Sequence, residues 1–449
     1  MLVRVTQSKR SRDKVEFEGF LFTKEKTGVN GNVYWRCEKR SCKARLTVCE
    51  GREVCVSAAH NHAHIAGRYE AEDVRADIRR ASLSSDESTS SVVSRCMLKL
   101  PSSSATLLPL ASTITRSVRL IRQKVNEKFS LERCINTVEG EVFVRYRSDE
   151  LVVFAADSDM ACLADSTHWH ADGTFAVAPK EFEQLYSVHA LRENVAVPCV
   201  FALMSRRTQE AYVTLLRLLK SMRPDLNPRS VMMDFEYAAM QAFTVVFPSV
   251  SAVGCGFHFG QCLWRSVQSH SLTEIYRQDM VLSLQVKKLS ALAYVPVDEV
   301  ISVFALLKPT LDVRLHEVID YFEQTFVGIY GAERVSNPMF SHRFWNLHVR
   351  ALEGLPRTNN LVEGWHNSLR RIVGVTHPSV SCLVRKLLQV QHTGEIERMA
   401  NNRHVAHGDR QRSYREAGER LRKAVQDYDS QKTLDFLVRI ASLLHINEL

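Results

Sequence analysis

The spacing of apolar and polar residues divides the chain into a β-rich segment, a polar segment and a longer α/β region. Residues 1–66 contain short runs of aromatic and β-branched residues around turn residues at 28–32, which predicts a small antiparallel sheet with one hairpin. Residues 67–117 include Ser- and Thr-rich runs, which indicates a flexible linker. The apolar run Leu107–Leu110 leaves open an ordered, extended segment that lies on the core.

Residues 118–400 alternate between strand and helix patterns, which predicts an α/β fold with a mixed sheet. The strand-like runs lie at 142–146, 151–154, 168–178, 184–191, 195–205, 230–234 and 251–256. Helices are predicted at 209–222 and 237–247, and the segments 270–355 and 380–449 are mostly helical in pattern. Three adjacent strands followed by alternating helix and strand is the order of an RNase H-like sheet, although other α/β folds obey the same rules.

The charge of the chain is positive and unevenly distributed. Lys and Arg number 59 against 50 Asp and Glu, and residues 1–62 alone contain 13 of the former and 7 of the latter. This excess suits a polyanionic partner, but it is weak support by itself. No apolar run has the length of a membrane span, so we expect no membrane partner. No run has the length of a signal peptide core either, so we expect the eleven cysteines to be reduced thiols inside the cell. The basic cluster at 9–12 is a candidate nuclear import signal.

Two cysteines and two histidines in the first segment have the spacing of a metal site. Cys37 and Cys42 are followed by the His60-Asn61-His62 triplet. Two thiolates and two imidazoles satisfy tetrahedral zinc, and a domain this short needs such a staple because its core is small. Three further residues could each replace one of the four ligands: Cys49, Cys55 and His64.

Three acidic residues have settings that suit a second metal site. Asp172 ends a strand-like run, Asp234 follows an apolar strand, and Glu363 lies on a predicted helix. On that helix Glu363, His366, Asn367 and Arg370 are predicted to share one face, opposite an apolar stripe that includes Trp365 and Ile372. Strand-end aspartates with a helix-borne glutamate suit Mg²⁺ or Mn²⁺, in a two-ion arrangement. Any one of them alone would be a cap or loop carboxylate. Glu236 is predicted to lie in the first turn of the following helix.

The first segment resembles the FLYWCH zinc finger, a relative of the WRKY and GCM sheets. The resemblance rests on residues that surround and include the four ligands: Phe20, Leu21, Tyr34, Trp35, Cys37, Cys42, His60 and His62. The gap between Cys37 and Cys42 is shorter than is usual in FLYWCH fingers and is closer to the WRKY spacing. The resemblance implies that an exposed strand contacts double-stranded DNA. The available cations are Lys39, Arg40, Lys43 and Arg45, which would bind phosphates.

Residues 118–400 resemble the Mutator-like (MULE) transposase domain. Four motifs carry the resemblance: DGTF at 172–175, MDFE at 233–236, CGFH at 255–258 and TNNLVEGWHNSL at 358–369. It implies a DDE triad of Asp172, Asp234 and Glu363, with a helical insertion at about 270–355. A zinc site at Cys255 and His258 would need further ligands such as Cys262 or His270. The alternative, which we favour, is a buried cysteine and a histidine that orients Asp234 or meets DNA.

Together these resemblances predict a nuclear transposase that binds transposon ends and carries out metal-dependent strand cleavage and transfer. A homo-oligomer is a candidate form of this protein. The alternative is a domesticated descendant that regulates transcription without catalysis. A purely structural zinc module would explain the first segment and leave the three acidic motifs unexplained.

Overall fold

The computed structural model describes residues 4–7, 13–29, 31–49, 54–84, 87–126, 135–193, 195–330, 335–400 and 409–444. The chain forms two compact units, Met1–Ser130 and Leu131–Leu449. The basic cluster at 9–12 lies outside the described residues, as do residues 401–408 and 445–449 of the predicted C-terminal helices. Within the described ranges, no helix has the length and apolar character that a membrane crossing requires.

The first unit contains a six-stranded antiparallel sheet, which confirms the antiparallel β domain predicted from the sequence. Its strands follow chain order: β1 (Arg4–Gln7), β2 (Asp13–Phe17), β3 (Phe20–Thr27), β4 (Val33–Cys37), β5 (Arg45–Val48) and β6 (Val54–Val56). Because successive side chains of a strand point to opposite faces, Phe22, Trp35 and Leu46 lie on the same face and form one small apolar core.

The described residues of the segment 67–117 are mostly helical, so the flexible linker predicted there is wrong. The segment contains α1 (Arg68–Ser84), α2 (Thr89–Met97), a 3₁₀ turn (Ser102–Leu107) and the start of α3 (Ala111–Asn126). Ser88 marks a helix start, since its Oγ accepts the Ser91 amide at 3.0 Å and caps α2. The sparse apolar residues supply a shared core, in which Ile78, Val92 and Val118 are buried. The boundary between units accordingly falls near 130 and not at 117.

A buried lysine fastens α1 to the sheet of the first unit. Lys14 Nζ, on β2, lies 2.6 Å from Glu38 Oε1 and 3.4 Å from Glu72 Oε2 on α1. Lys14 and Glu72 are both buried, and Glu38 and Arg75 (2.8 Å from Glu72 Oε1) complete the compensation of the two charges. The helices are therefore part of the same folded unit as the sheet.

The second unit is a mixed α/β structure built on a seven-stranded sheet. Its strands are β7 (Val144–Arg147), β8 (Leu151–Phe154), β9 (His168–Thr174), β10 (Gln184–Arg192), β11 (Val195–Met204), β12 (Ser230–Met233) and β13 (Ser251–Gly254). The spatial order is β13-β12-β9-β10-β11-β8-β7, with β12 and β13 parallel to β9 and the other pairs antiparallel. A small hairpin, β14 (Ile329–Tyr330) and β15 (Val335–Ser336), lies apart from this sheet.

Helices cover both faces of the large sheet. Those up to the long insertion are α4 (Asp157–Ala164), α5 (Gln209–Met222) and α6 (Tyr237–Val246). The insertion holds α7 (Gly256–Ser269), α8 (Thr273–Gln278), α9 (Met280–Ala291), α10 (Val300–Leu307), α11 (His316–Phe322), α12 (His342–Trp345) and α13 (His348–Leu352). The remainder are α14 (Asn360–Val373), α15 (Val380–Ala400), α16 (Asp409–Gln426) and α17 (Thr433–Leu443). Because strand side chains alternate, Val153 and Tyr186 pack toward α5, whereas Phe154 and Leu185 pack toward α14 and α15.

A buried ion pair joins α15 to α4. Asp159 is 1% exposed, and Arg398 Nη2 lies 2.7 Å from its Oδ1. Burial raises the pKa of Asp159 to about 6, although Arg398 opposes this rise. The folded pKa exceeds the ordinary 3.8, so the contribution of Asp159 to stability is present at acid pH and is lost as the pH rises through about 6.

We expect Arg398→Ala to lower the free energy of unfolding of the second unit by about 3 kcal/mol at pH 8, because it leaves a buried carboxylate unpaired. The loss should be much smaller at pH 5, where Asp159 is mostly protonated. Urea unfolding at both pH values measures the two losses. Arg206→Ala, which removes an exposed partner of Glu150, is the control and should have little effect. Equal losses at pH 5 and pH 8 would mean that the effect of Arg398 does not depend on the charge of the Asp159 carboxylate, which would contradict the prediction.

Candidate functional site

Two cysteines and two histidines come together in the first unit. Cys37 ends β4, Cys42 lies in the turn before β5, and both histidines follow β6. Cys37 Sγ lies 3.2 Å from His62 Nε2, and Cys42 Sγ lies 3.4 Å from His60 Nδ1. The two imidazole nitrogens are 3.4 Å apart, and all four atoms lie within 4.8 Å of one another. Zinc bonds of about 2.0–2.3 Å set tetrahedral ligands about 3.3–3.7 Å apart, so this donor set fits one zinc ion.

The surroundings hold the two imidazoles in orientations that suit a metal. His62 Nδ1 lies 3.0 Å from the Ala63 carbonyl, to which it can donate, and this leaves Nε2 as an acceptor. His60 stacks on Phe20 with ring centroids 3.6 Å apart. Burial lowers the pKa of His60, which favours its neutral, ligating form. The group of four does not include the spare candidates Cys49, Cys55 and His64.

The basic residues predicted to meet DNA have different surroundings. Lys39, Arg40 and Lys43 are exposed in the turn that carries the cysteines. Arg45, on β5, instead forms an ion pair with Glu25 at 3.3 Å. Arg36, which the sequence prediction missed, is exposed on β4 directly opposite Arg45. The signal for Arg36 was the alternation in the Tyr34–Cys37 run: Trp35 and Cys37 are buried, so Arg36 points outward.

Asp172, Asp234 and Glu363 converge at one edge of the large sheet. Asp172 lies in β9, and Asp234 directly follows β12. Since β9 and β12 are parallel neighbours, their carboxyl ends lie side by side. Glu363 lies in the first turn of α14, which contacts β9. His258, on α7, joins the last two: its Nδ1 lies 2.8 Å from Asp234 Oδ1 and its Nε2 lies 3.8 Å from Glu363 Oε1.

Asp172 is the most enclosed of the three carboxylates, at 8% exposed. Its Oδ1 accepts the Gly173 amide at 2.8 Å, and its Oδ2 lies 3.3 Å from His366 Nδ1. His366 Nε2 in turn lies 3.0 Å from Ser187 Oγ. Sequence reasoning gave His366 no role. Its spacing of three residues after Glu363 was the available signal, since it puts both side chains on the same side of α14.

Burial and mutual repulsion raise the pKa of two of these carboxylates. For Asp172 burial is the main cause, and the charge of Asp234 adds to it. For Glu363 burial again comes first, His258 opposes it, and the charges of Asp172 and Asp234 raise the pKa further. A site with concentrated negative charge and hard oxygen donors suits Mg²⁺ or Mn²⁺, which would relieve the repulsion.

Cys255 and His258 lie beside Asp234. Burial alone would lower the pKa of His258, but its contacts with Asp234 and Cys255 raise it to about 11, which favours the charged imidazolium. Cys255 Sγ accepts the Asn359 amide at 3.1 Å, which ties α7 to the segment before α14. The ligand atoms of Asp234, Cys255 and His258 lie within 4.8 Å of one another, and this group does not include Cys262 or His270.

Glu236 is held by protein groups and not directed at the carboxylate cluster. Its Oε1 accepts Arg207 Nε at 3.2 Å and the Tyr212 hydroxyl at 2.8 Å, while Oε2 lies 3.0 Å from Arg207 Nη2. These contacts fix the loop after β11 next to the start of α6. These contacts give Glu236, two positions after Asp234, a structural role that needs no metal.

We therefore expect Glu236→Gln to lower the free energy of unfolding by about 2 kcal/mol, since hydrogen bonds to a charged group are weakened. Its affinity for Mn²⁺, measured by electron paramagnetic resonance, should stay within about twofold of the wild type. Glu363→Gln is the matched comparison and should weaken Mn²⁺ binding by about tenfold or more. A comparable loss of Mn²⁺ in Glu236→Gln would make Glu236 a ligand.

Two known domain families match the chain at these sites. Residues 5–64 match the FLYWCH zinc finger domain, a range that includes all four Cys and His ligands. Residues 168–261 match the MULE transposase domain, a range that includes Asp172, Asp234, Cys255 and His258 and ends before Glu363.

A solved structure of the Drosophila P element transposase strand transfer complex was also found. The alignment covers 85% of this chain and 93% of that one at 10% identity, with a TM-score of 0.23, a level too low to support an argument about fold. No curated protein matches the chain significantly. The family matches agree with the two resemblances seen in the sequence: residues 5–64 match a FLYWCH zinc finger domain, and residues 168–261 match a MULE transposase domain.

Proposed function

We propose that the protein is a DNA transposase of the Mutator-like type, which binds transposon ends and then cleaves and transfers DNA strands. The observation that carries the proposal is the convergence of Asp172, Asp234 and Glu363 at one edge of the sheet, within and next to the MULE domain. The charges of Asp172 and Asp234 both raise the pKa of Glu363, so the three carboxylates repel one another, and a bound cation would relieve that repulsion. A divalent ion that also binds phosphate oxygens supplies that compensation.

The sheet order supports an RNase H-like fold for this unit. In the run β11-β10-β9-β12-β13, the first three strands are consecutive and antiparallel, and the last two are parallel to β9. This is the order expected from three adjacent strands followed by alternating helix and strand. It sets the carboxyl ends of β9 and β12 next to each other, where the two aspartates lie.

Each side chain of the site has a distinct part in this proposal. Two bound ions would activate a water or a 3′-hydroxyl and stabilise the leaving oxygen. Asp172, Asp234 and Glu363 would hold these ions, and the Gly173 amide and His366 fix the direction of the Asp172 carboxylate. His258 contacts Asp234 as a cation and so limits the repulsion between carboxylates before metal binds.

The first unit supports recognition of DNA. We propose that zinc joins Cys37, Cys42, His60 and His62, as the spacing of their donor atoms allows. The exposed Arg36, Lys39, Arg40 and Lys43, with the half-buried Arg45, would contact phosphates and position the duplex. Action on DNA in the nucleus, by more than one copy of the chain, is part of the same proposal.

A cleavage assay tests this function directly. The substrate is a plasmid carrying the terminal inverted repeats that flank the gene, and the full-length protein is added with Mg²⁺, Mn²⁺ or EDTA. We expect strand breaks at the repeat ends with either metal and none with EDTA. A plasmid with scrambled repeats is the control for specificity. Tight binding to the repeats without any break in Mg²⁺ or Mn²⁺ would favour the domesticated, non-catalytic regulator instead.

A further inference from the structure

A cavity of about 360 Å³ opens at the amino ends of the parallel strands, away from the carboxylate cluster. Its lining includes the first or neighbouring residues of three strands, His168, Ser230 and Ser251. Asp172 and Asp234 lie four residues further along β9 and the β12 strand, which corresponds to about 13 Å of strand. The cavity is therefore separate from the proposed metal site.

A buried arginine from the helical insertion lines this cavity. Arg350, on α13, is 5% exposed. Its Nε donates to the Pro356 carbonyl at 2.9 Å, and its Nη1 donates to Ser230 Oγ at 3.0 Å. Its Nη2 is buried and has no hydrogen-bond partner among the described residues. Burial lowers the pKa of Arg350 to about 10, which leaves the guanidinium charged near neutral pH.

The charges around the cavity are mostly positive. Arg229 and Arg343 also line it, and both are exposed. The one acidic residue of the lining is Glu353, which pairs with Arg229 at 3.0 Å. Within the described ranges, neither Arg343 nor Arg350 has an ion pair to a carboxylate closer than 4 Å. His168 adds no positive charge, because burial and the neighbouring arginines lower its pKa. Arg343 and Arg350 therefore line the cavity without a carboxylate in direct contact, and the charge of Glu353 acts on Arg350 from a longer distance.

We propose that this cavity binds a small molecule through a terminal phosphate group. Guanidinium groups bind phosphate oxygens with paired, charge-assisted hydrogen bonds, and the buried Nη2 of Arg350 supplies an N–H donor that lacks an acceptor. The rim residue Arg343 adds a second guanidinium, whereas the Ser230 hydroxyl is already in contact with Arg350 Nη1 and His168 Nδ1. The volume admits a phosphate with a group the size of a sugar. A phosphate within a duplex backbone carries bulk on both sides, so it fits a recessed arginine less well than a terminal phosphate does.

Isothermal titration of the full-length, zinc-loaded protein tests the proposal. The probes are inorganic phosphate and ribose 5-phosphate, at constant ionic strength and without Mg²⁺. We expect saturable binding of both to one site per chain. Arg343→Gln should weaken this binding by about tenfold, since it removes one charged hydrogen bond. This variant changes an exposed rim residue and leaves the buried contacts of Arg350 in place.

Arg206→Gln is the matched control, because Arg206 is also exposed and lies outside the cavity. Its affinity for both probes should equal that of the wild type. Binding that does not saturate, or that is unchanged in Arg343→Gln, overturns the proposal. A DNA duplex without terminal phosphates should not displace ribose 5-phosphate. Displacement by that duplex would assign the cavity to backbone contacts with DNA and overturn the small-molecule assignment.

Discussion

Asp172→Asn is expected to reduce Mg²⁺-dependent DNA cleavage by about a hundred- to a thousandfold, the range seen when a group that stabilises developing charge is removed. The amide keeps the shape of the side chain and can still accept the Gly173 amide. It lacks the charge that a divalent ion needs from its ligands. Affinity for a duplex that carries the terminal repeat should stay within about twofold, because the DNA-contacting cations proposed above lie in the first unit.

The loss in Asp172→Asn should not come from unfolding. Burial raises the pKa of Asp172, which means that the negative charge is unfavourable in the folded protein without metal. Removing that charge should therefore raise the free energy of unfolding by about 1 kcal/mol, as is common when a strained functional site is relaxed. Thermal unfolding without metal, together with Mn²⁺ binding by electron paramagnetic resonance, measures the two effects.

Asp225→Asn is a suitable control for this experiment. Asp225 is exposed and pairs with Arg223 in the loop before β12, so its change should leave cleavage, Mn²⁺ affinity and stability as they are. Cleavage by Asp172→Asn at the wild-type rate would remove Asp172 from the proposed triad. Reduced cleavage with unchanged Mn²⁺ binding would mean that Asp172 does not hold the metal.

Cys37→Ser is expected to remove the zinc ion from the first unit. Structural zinc contributes about 10–16 kcal/mol to the folding of small zinc domains, so loss of one thiolate should unfold the sheet. We expect the zinc content, measured by plasma mass spectrometry, to fall from one ion per chain to almost none. Binding to DNA should weaken strongly, while the thermal transition of the second unit should persist.

The matched control is Cys55→Ser, since Cys55 is exposed on β6 and lies outside the group of four ligands. This variant should keep one zinc ion and bind DNA like the wild type. Unchanged zinc in Cys37→Ser would be incompatible with the finger assignment, as would equal loss in both variants. Two zinc ions per wild-type chain would point to a second zinc site, for which Asp234, Cys255 and His258 are the nearest donors.

Local patterns predicted most strands and helices of the second unit to within a few residues. The helix at 209–222 was predicted with its observed bounds, because Thr208 caps it and its apolar residues repeat with helical spacing. The strand predicted at 168–178 ends at Thr174, where its pairing with Leu185 of β10 stops. Pairing of this kind depends on a distant segment and has no local signal.

Two errors have the same physical origin. In α14 the predicted apolar stripe included Ile372, which is 38% exposed, whereas His366 is buried against Ser187. The helix is therefore rotated toward the sheet from the predicted orientation, because the polar groups beneath it accept His366. In the segment 67–117 the Ser-rich composition predicts a linker, whereas Ser88 caps a helix and apolar residues of three helices pack together. In both cases the surface that packs against the segment decides which residues are buried, and the local composition does not contain that surface.

The candidate sites differ in how much of them a sequence can reveal. The four zinc ligands are close in the chain, and their order alone predicted the group that the structure brings together. The carboxylates were found through motifs, since no local pattern predicts that His258 lies between Asp234 and Glu363. The cavity at Arg350 had no sequence signal, because its charge balance depends on which side chains from distant segments meet there.

The long separation between the two sides of the carboxylate site affects the chain while it is being made. His170, beside Asp172, contacts Asn359 across 189 positions, and all the helices of the insertion lie between them. A ribosome adding about 5–20 residues per second needs about 10–40 s to cover that distance. Until then β9 and β12 lack α14, so a growing chain carries two aspartates without Glu363. On the proposed function, an incomplete chain would bind DNA through its finished first unit before it could cut.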